Sequence, residues 1–172
     1  MSPATVFQIH LALGYVSWLL CFGAYVWPKL RAMDPVAAQR AIATLHSFRF
    51  FGLVFLVPGV VGANLPASFA SFAAYGDFAT GLLAMLALFT VRRPPLFWPF
   101  VVAFNLAGAA DILIDYYHGV QIGLAEMAGE LGATYAIPIV YVPLLMITHV
   151  GAFYLLLRPQ ADRALASHAA RS

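Results

Sequence analysis

The sequence predicts an all-α, polytopic membrane protein with five transmembrane helices, its N-terminus outside and its C-terminus in the cytoplasm. Apolar residues make up 63% of the 172 residues, against about 45–50% in soluble domains. Charged residues make up only 9% and the mean hydropathy is +0.86, so a water-facing surface of ordinary polarity cannot be assembled. This composition disfavours a soluble enzyme, a disordered tail, a disulfide scaffold and a nucleic-acid binder.

Continuous apolar stretches of spanning length predict the helices, because a lipid-facing β-barrel would need alternating apolar and polar residues. The first stretch follows a segment without Lys or Arg and is too long for a signal-peptide core, so we expect a retained span. Proline and glycine separate the stretches. The spans are predicted over residues 6–27, 42–63, 67–91, 96–118 and 134–157. They form one transmembrane domain over residues 1–158, followed by a short cytoplasmic tail over residues 159–172.

The basic residues predict the orientation, because short cytoplasmic loops of membrane proteins retain Lys and Arg. Eight of the nine cations lie in the first loop, the third loop and the tail. They are Lys29, Arg31, Arg40, Arg92, Arg93, Arg158, Arg163 and Arg171. The second loop has no cation, and the fourth has only Glu126 and Glu130. We therefore expect a multi-pass protein of the inner (plasma) membrane.

The fourth loop has two interpretations. Residues 121–131 form either a plain loop or a short helix in the outer interface. In the second case Ile122, Leu124 and Met127 are available to lipid.

Polar residues within the spans sort into two layers by depth, estimated from the helical rise of about 1.5 Å per residue. An ionisable group inside the bilayer needs a partner, water or a functional role. The inner layer consists of His46, Arg49, Asn105 and His149. Arg49 is the one cation outside the loops. Its side chain either snorkels to the cytoplasmic headgroups or binds an anionic headgroup or a carboxylate.

The outer layer consists of His10, Asp77, Asp111, Asp115 and His118. At about 100° per residue, the last three lie within about 60° of one another on span four, whereas Asn105 lies about 80° from the nearest of them. We expect this stripe to line a pocket that opens outward between spans one, three, four and five. Pro138 and Pro143 predict a kinked or open outer half of span five, where Tyr135 and Tyr141 would serve as donors.

Three chemistries fit these residues. A zinc, iron or manganese site would use His10, Asp111, Asp115 and His118. A proton or cation relay would use the acids and imidazoles, but about 8 Å separates the two layers on the same depth scale. A b-type haem would use histidines paired by depth. The pairs are His46 with His149 and His10 with His118.

A short pattern in the first span adds a resemblance. It consists of Ile9, His10, Leu11, Trp18, Pro28, Lys29 and Leu30. It resembles the opening span of small haem-associated membrane proteins of the HemJ and CopD type. The resemblance covers this span alone and implies a ligand role for His10.

The leading functional hypothesis is binding of a small molecule or cation in the outward-opening pocket, by a proton- or cation-linked carrier or an accessory subunit. The alternative is a membrane redox enzyme or electron carrier that holds haem, a metal or a quinone. A structural partner in a larger membrane complex is a third reading, and a homo-oligomer is compatible with each. The sequence contains no phosphate-binding loop, nucleophile elbow or zincin motif, and whether the protein is an enzyme stays open.

Overall fold

The computed structural model describes residues 1–158, and this part of the chain is helical throughout, with short turns between helices and no strand. The tail predicted over residues 159–172 lies outside the described residues. The α-helices are α1 (Pro3–Cys21), α2 (Trp27–Ala32), α3 (Pro35–His46), α4 (Ala67–Phe89), α5 (Pro94–Gln121) and α6 (Val142–Leu157). The other helical elements of the described residues are two 3₁₀ segments, Ser47–Leu56 and Ala128–Tyr135, and two π segments, Phe22–Val26 and Ile137–Tyr141.

Four helical stretches of the described chain are long and apolar enough to cross a membrane. The π segment Phe22–Val26 joins α1 to α2, and the π segment Ile137–Tyr141 precedes α6 directly. The first and last stretches therefore contain more than one element. They are Pro3–Ala32, Ala67–Phe89, Pro94–Gln121 and Ile137–Leu157. The all-α class is therefore confirmed, and these helices indicate a multi-pass membrane protein. They correspond to the first, third, fourth and fifth predicted spans.

The segment predicted as the second span is not one continuous α-helix. Its α-helical part, α3, ends at His46, and a 3₁₀ helix continues over Ser47–Leu56. A 3₁₀ helix has about three residues per turn, so residues three apart lie on one face. Arg49, Gly52 and Phe55 are the buried residues of this segment. The predicted end at residue 63 is wrong, because residues 57–66 form turns.

The chain alternates between the two ends of the bundle. One end joins α2, the start of α3, the end of α4, the start of α5 and the end of α6. The residues buried there include Leu30, Ala38, Ala87, Phe97 and Ala152. The opposite end is closed by Phe7, Phe55, Phe69, Leu131 and Ile137. The loops before α3 and before α5 adjoin the first end, so the structure places the basic residues of the first and third predicted loops at the same end of the bundle.

Helix α4 lies at the centre of the bundle, with its most extensive contacts against the 3₁₀ segment Ser47–Leu56 and α5. Its buried face consists largely of small residues, which allow helix backbones to approach closely in a membrane protein. They include Ala70, Ala73, Ala74, Gly81, Ala84 and Ala87. This close approach brings polar side chains of the neighbouring elements within hydrogen-bonding distance.

The connection between α5 and α6 folds over the second end of the bundle. Leu124, expected to face lipid if this segment were an interfacial helix, is instead only 7% exposed and packs in the apolar cluster there, with Ile122 and Met127 half-buried against it. The Glu130 carboxylate accepts hydrogen bonds from the backbone and side-chain nitrogens of Asn64, each at 3.0 Å. These hydrogen bonds connect the loop before α4 to the segment before α6.

Gly132 is required where these loops meet. Its φ is +51° and ψ is −128°, a conformation that residues with a Cβ rarely adopt, and a Cβ there would overlap the Val60 carbonyl oxygen. We predict that Gly132→Ala lowers the free energy of unfolding by about 1–3 kcal/mol, measured by denaturation in detergent. Gly129→Ala, in the same 3₁₀ segment with open space around it, is the control, and equal losses in both variants would contradict the prediction.

Candidate functional site

The Arg49 guanidinium is held between two carboxylates in the centre of the bundle. Arg49 Nε donates to Asp77 Oδ1 and Nη2 donates to Asp111 Oδ2, both at 2.6 Å. Arg49 is 1% exposed, and both aspartates are buried. We name these three residues the Arg49 cluster. Of the two alternatives for Arg49, the structure shows carboxylate binding rather than snorkelling.

The remaining guanidinium nitrogen contacts a chain of polar groups on α5 and α6. Arg49 Nη1 donates to the Gly108 carbonyl at 3.2 Å and lies 3.3 Å from His149 Nε2. Asn105 Nδ2 donates to the Val101 carbonyl, so Asn105 Oδ1 is the acceptor for His149 Nδ1 at 2.9 Å. His149 therefore carries its hydrogen on Nδ1, and Nε2 accepts from Arg49.

Arg49 thus joins the two predicted layers. On the depth scale, about 8 Å separates the outer acids from the inner histidines, whereas a relay needs a continuous path of polar groups. The long Arg49 side chain spans it, because its three donor nitrogens face Asp77, Asp111 and His149 together. Acids of α4 and α5 and an imidazole of α6 belong to one connected network.

Two glycines make room for the carboxylates. A Cβ on Gly52 would overlap the Asp77 side chain, and a Cβ on Gly76 would overlap the Asp111 carboxylate. Hydrogen bonds to a buried charge require short, well-aligned contacts. The backbones of the 3₁₀ segment and α4 therefore lie closer to the two aspartates than a residue with a Cβ would allow.

The two inner histidines are neighbours, as depth predicted, but they face each other ring against ring. The ring centroids of His46 and His149 are 4.0 Å apart. His46 Nε2 pairs with the Thr148 hydroxyl at 3.0 Å, and this hydroxyl donates to a carbonyl of the preceding turn. His46 Nδ1 is buried without a hydrogen-bond partner among the described residues.

This arrangement does not fit a haem. An iron bound by both imidazoles would have to lie between the two rings with its porphyrin, and rings 4.0 Å apart leave no space. The two histidines of the second predicted pair, His10 and His118, contact different aromatic residues. His10 Nδ1 pairs with the Tyr135 hydroxyl at 3.0 Å, and the His118 ring packs edge-on against Phe72.

The predicted metal ligands are likewise not assembled. Asp111 binds Arg49, while His10 and His118 contact the aromatic residues just described. Over residues 1–158, no three His, Cys, Asp or Glu side chains form a group that could hold a metal ion. The mixed imidazole and carboxylate shell therefore has no counterpart in this part of the chain.

A cavity of about 300 Å³ lies beside the Arg49 cluster, at the end of the bundle away from the basic loops. We call it the outer cavity. Its charged lining residues are Arg49, Asp77, Asp115 and Glu126, and its walls include Phe7, Phe55, Phe69, Ile112, Leu131 and Val142. The predicted pocket used spans one, three, four and five. Of the predicted pocket residues, Asp77 and Asp115 line the cavity, and its lining does not include His10, Asp111, His118, Tyr135 or Tyr141. It includes instead Arg49 and Phe55 from the segment between α3 and α4, together with the connection after α5.

Asp115 differs from Asp111 although the two lie one turn apart on α5. Asp115 lines the outer cavity, and its Oδ1 is buried without a hydrogen-bond partner in the described structure. The Tyr141 hydroxyl is also buried without a partner there. A hydroxyl pair between Tyr15 and Tyr116, 2.7 Å apart, was missed from the sequence, because the two residues lie 101 positions apart and only the packing of α1 against α5 brings them together.

Fold and site together define an all-helical, multi-pass membrane protein with a buried arginine–aspartate cluster beside a cavity. The chain belongs to the family described as a domain of unknown function (DUF8737), which matches residues 6–157. No curated protein and no solved structure matches the chain.

The buried ion pairs predict a large effect of Arg49 on stability. Arg49→Gln leaves two buried carboxylates without their cation, and breaking such a pair typically costs about 3–5 kcal/mol. We expect this loss in denaturation of the detergent-solubilised protein. Arg40→Gln, the same change at an exposed arginine of α3, is expected to stay within about 0.5 kcal/mol. Similar small losses in both variants would show that the cluster does not hold the bundle together.

Proposed function

We propose that this protein crosses the plasma membrane five times and binds a small molecule or cation in the outer cavity, as a proton- or cation-linked carrier or an accessory subunit. The observation that carries the proposal is the outer cavity itself, in which Asp115 Oδ1 has no hydrogen-bond partner among the described residues and the side chain lies beside apolar walls. Small-molecule sites are typically apolar cavities with few, well-placed polar groups. Their volumes start at about 300 Å³.

The proton- or cation-linked role is supported by the polar network below the cavity. Acids and histidines inside membrane proteins are the residues that exchange protons or bind cations. Asp77 lines the outer cavity and also binds Arg49, which contacts His149 on the opposite side. Ligand occupancy of the cavity would therefore be coupled to the protonation of His149 through the Arg49 guanidinium. The redox alternative has less support from the His46–His149 pair, because ring centroids 4.0 Å apart leave no space for an iron between the rings.

The fifth crossing is proposed for α3 together with the 3₁₀ segment after it. At rises of about 1.5 Å and 2.0 Å per residue, the two elements extend about 38 Å, and the hydrocarbon core is about 30 Å thick. Phe48, Phe50 and Phe51 are 43–56% exposed on the outer faces of the 3₁₀ segment, as suits contact with lipid. The gathered basic loops then face the cytoplasm.

Binding in the outer cavity can be tested by filling it. Ala73 lines the cavity and is 4% exposed, so Ala73→Phe places a ring in the space that a ligand would occupy. We expect the purified protein to bind the fluorescent probe 1-aminoanthracene and this variant to bind it at least about tenfold more weakly, a loss of about 1.4 kcal/mol. Ala79→Phe, on the exposed face of the same helix, is the matched control. Equal affinities in both variants, or no binding by the unaltered protein, would refute the proposed site.

The crossing and its direction can be tested by cysteine labelling, since Cys21 is the one native cysteine. In a Cys21→Ser background, Met33→Cys and Ser68→Cys flank the proposed crossing at exposed positions. In right-side-out vesicles, a membrane-impermeant maleimide is expected to label Ser68→Cys at once and Met33→Cys only after permeabilisation. Labelling of both from one side would exclude a crossing between them, and the reverse pattern would invert the orientation.

A further inference from the structure

We infer that the outer cavity selects an organic cation with an apolar body, with the Asp115 carboxylate as its counter-ion. This inference rests on the proposed function and deepens it by naming the ligand class. It is carried by the charge balance of the lining, the partners that Arg49 already has, and the chemistry of the cavity walls.

The cavity lining has more negative than positive groups. Three of its charged residues, Asp77, Asp115 and Glu126, are acids, and Arg49 is the single base. Arg49 has no capacity left for Asp115, because its donor nitrogens are directed to Asp77, Asp111, Gly108 and His149. An ionised carboxylate away from bulk water is costly without a cation. A bound cation would supply the missing charge.

Asp115 is placed to receive that cation. Its Oδ1 is buried and lacks a hydrogen-bond partner among residues 1–158, although the side chain borders open space in the cavity. The companion acid Asp77 is buried at the same cavity and held by Arg49. The unsatisfied acceptor and the space beside it therefore coincide at one side chain.

The walls favour an organic cation over a metal ion. Calcium and magnesium take about six or more oxygen ligands, and no group of three acidic, His or Cys side chains that could hold a metal exists in the described chain. The walls instead include Phe7, Phe55 and Phe69, with the last two rings edge-to-face at 6.5 Å. Aromatic faces attract organic cations, ammonium groups above all, and the surrounding aliphatic residues suit an apolar body.

Three aromatic probes that differ in charge test this inference in the cavity of about 300 Å³. They are (2-phenylethyl)trimethylammonium, its neutral carbon isostere (3,3-dimethylbutyl)benzene and the anion 4-phenylbutyrate. The first two have nearly the same shape, and the charge of the ammonium is permanent. A difference between them therefore measures charge recognition alone.

Each probe is used to displace 1-aminoanthracene from the purified protein. We expect the ammonium to bind at least about tenfold more tightly than its neutral isostere and the anion to bind most weakly. Asp115→Asn is expected to abolish the advantage of the ammonium, so that the ratio of its affinity to that of the neutral isostere falls to about one. Asp34→Asn is the matched control, because Asp34 caps α3 outside the cavity and asparagine caps a helix equally well.

The outcomes separate this inference from the proposed function. If all probes displace 1-aminoanthracene equally, or if Asp115→Asn retains the preference for the ammonium, the cavity binds apolar molecules and the inference is overturned while the proposed site stands. A protonated Asp115 would give this result. If neither 1-aminoanthracene nor any of the three probes binds, the proposed function and the inference fail together.

Discussion

The burial of one guanidinium constrains the whole bundle. An arginine cannot shed its proton to escape an apolar environment, so the chain has to bring enough acceptors to Arg49 to compensate for lost hydration. Asp77 from α4 and Asp111 from α5 supply the charge, and a carbonyl of α5 and an imidazole of α6 supply the remaining contacts. Four elements must therefore meet at one point, which fixes their relative rotation.

Meeting at one point requires close backbone approach, and both the helix type and the residue sizes provide it. The 3₁₀ turn aligns Arg49, Gly52 and Phe55 on one face, whereas α-helical rotation would spread them around the axis. Gly52 and Gly76 leave space for the two carboxylates. The same face also supplies Phe55 to the outer cavity, so the structural cluster and the candidate binding site share one wall.

The two aspartates of α5 lie one helical turn apart but have different surroundings. Asp111 lies at the level of the guanidinium and accepts a hydrogen bond from it. Asp115 lies one turn further along and borders the cavity. The sequence predicted that both belong to an inward-facing stripe. It did not predict which one has a partner, because that depends on the position of Arg49 in another element. Arg49 lies in a 3₁₀ helix, and apolar periodicity did not predict that type of helix.

Composition and the placement of basic residues determined the class of protein, four of the helices and the residues that lie within them, because the cost of exposing polar groups to hydrocarbon acts on the sequence locally. Depth estimates also brought His46 beside His149. Only the tertiary structure decided that these rings contact each other directly, that His10 and His118 contact separate aromatic residues, and that Arg49 joins both layers. These outcomes depend on the rotation of each helix about its axis, which packing against neighbours sets and which position along the chain does not.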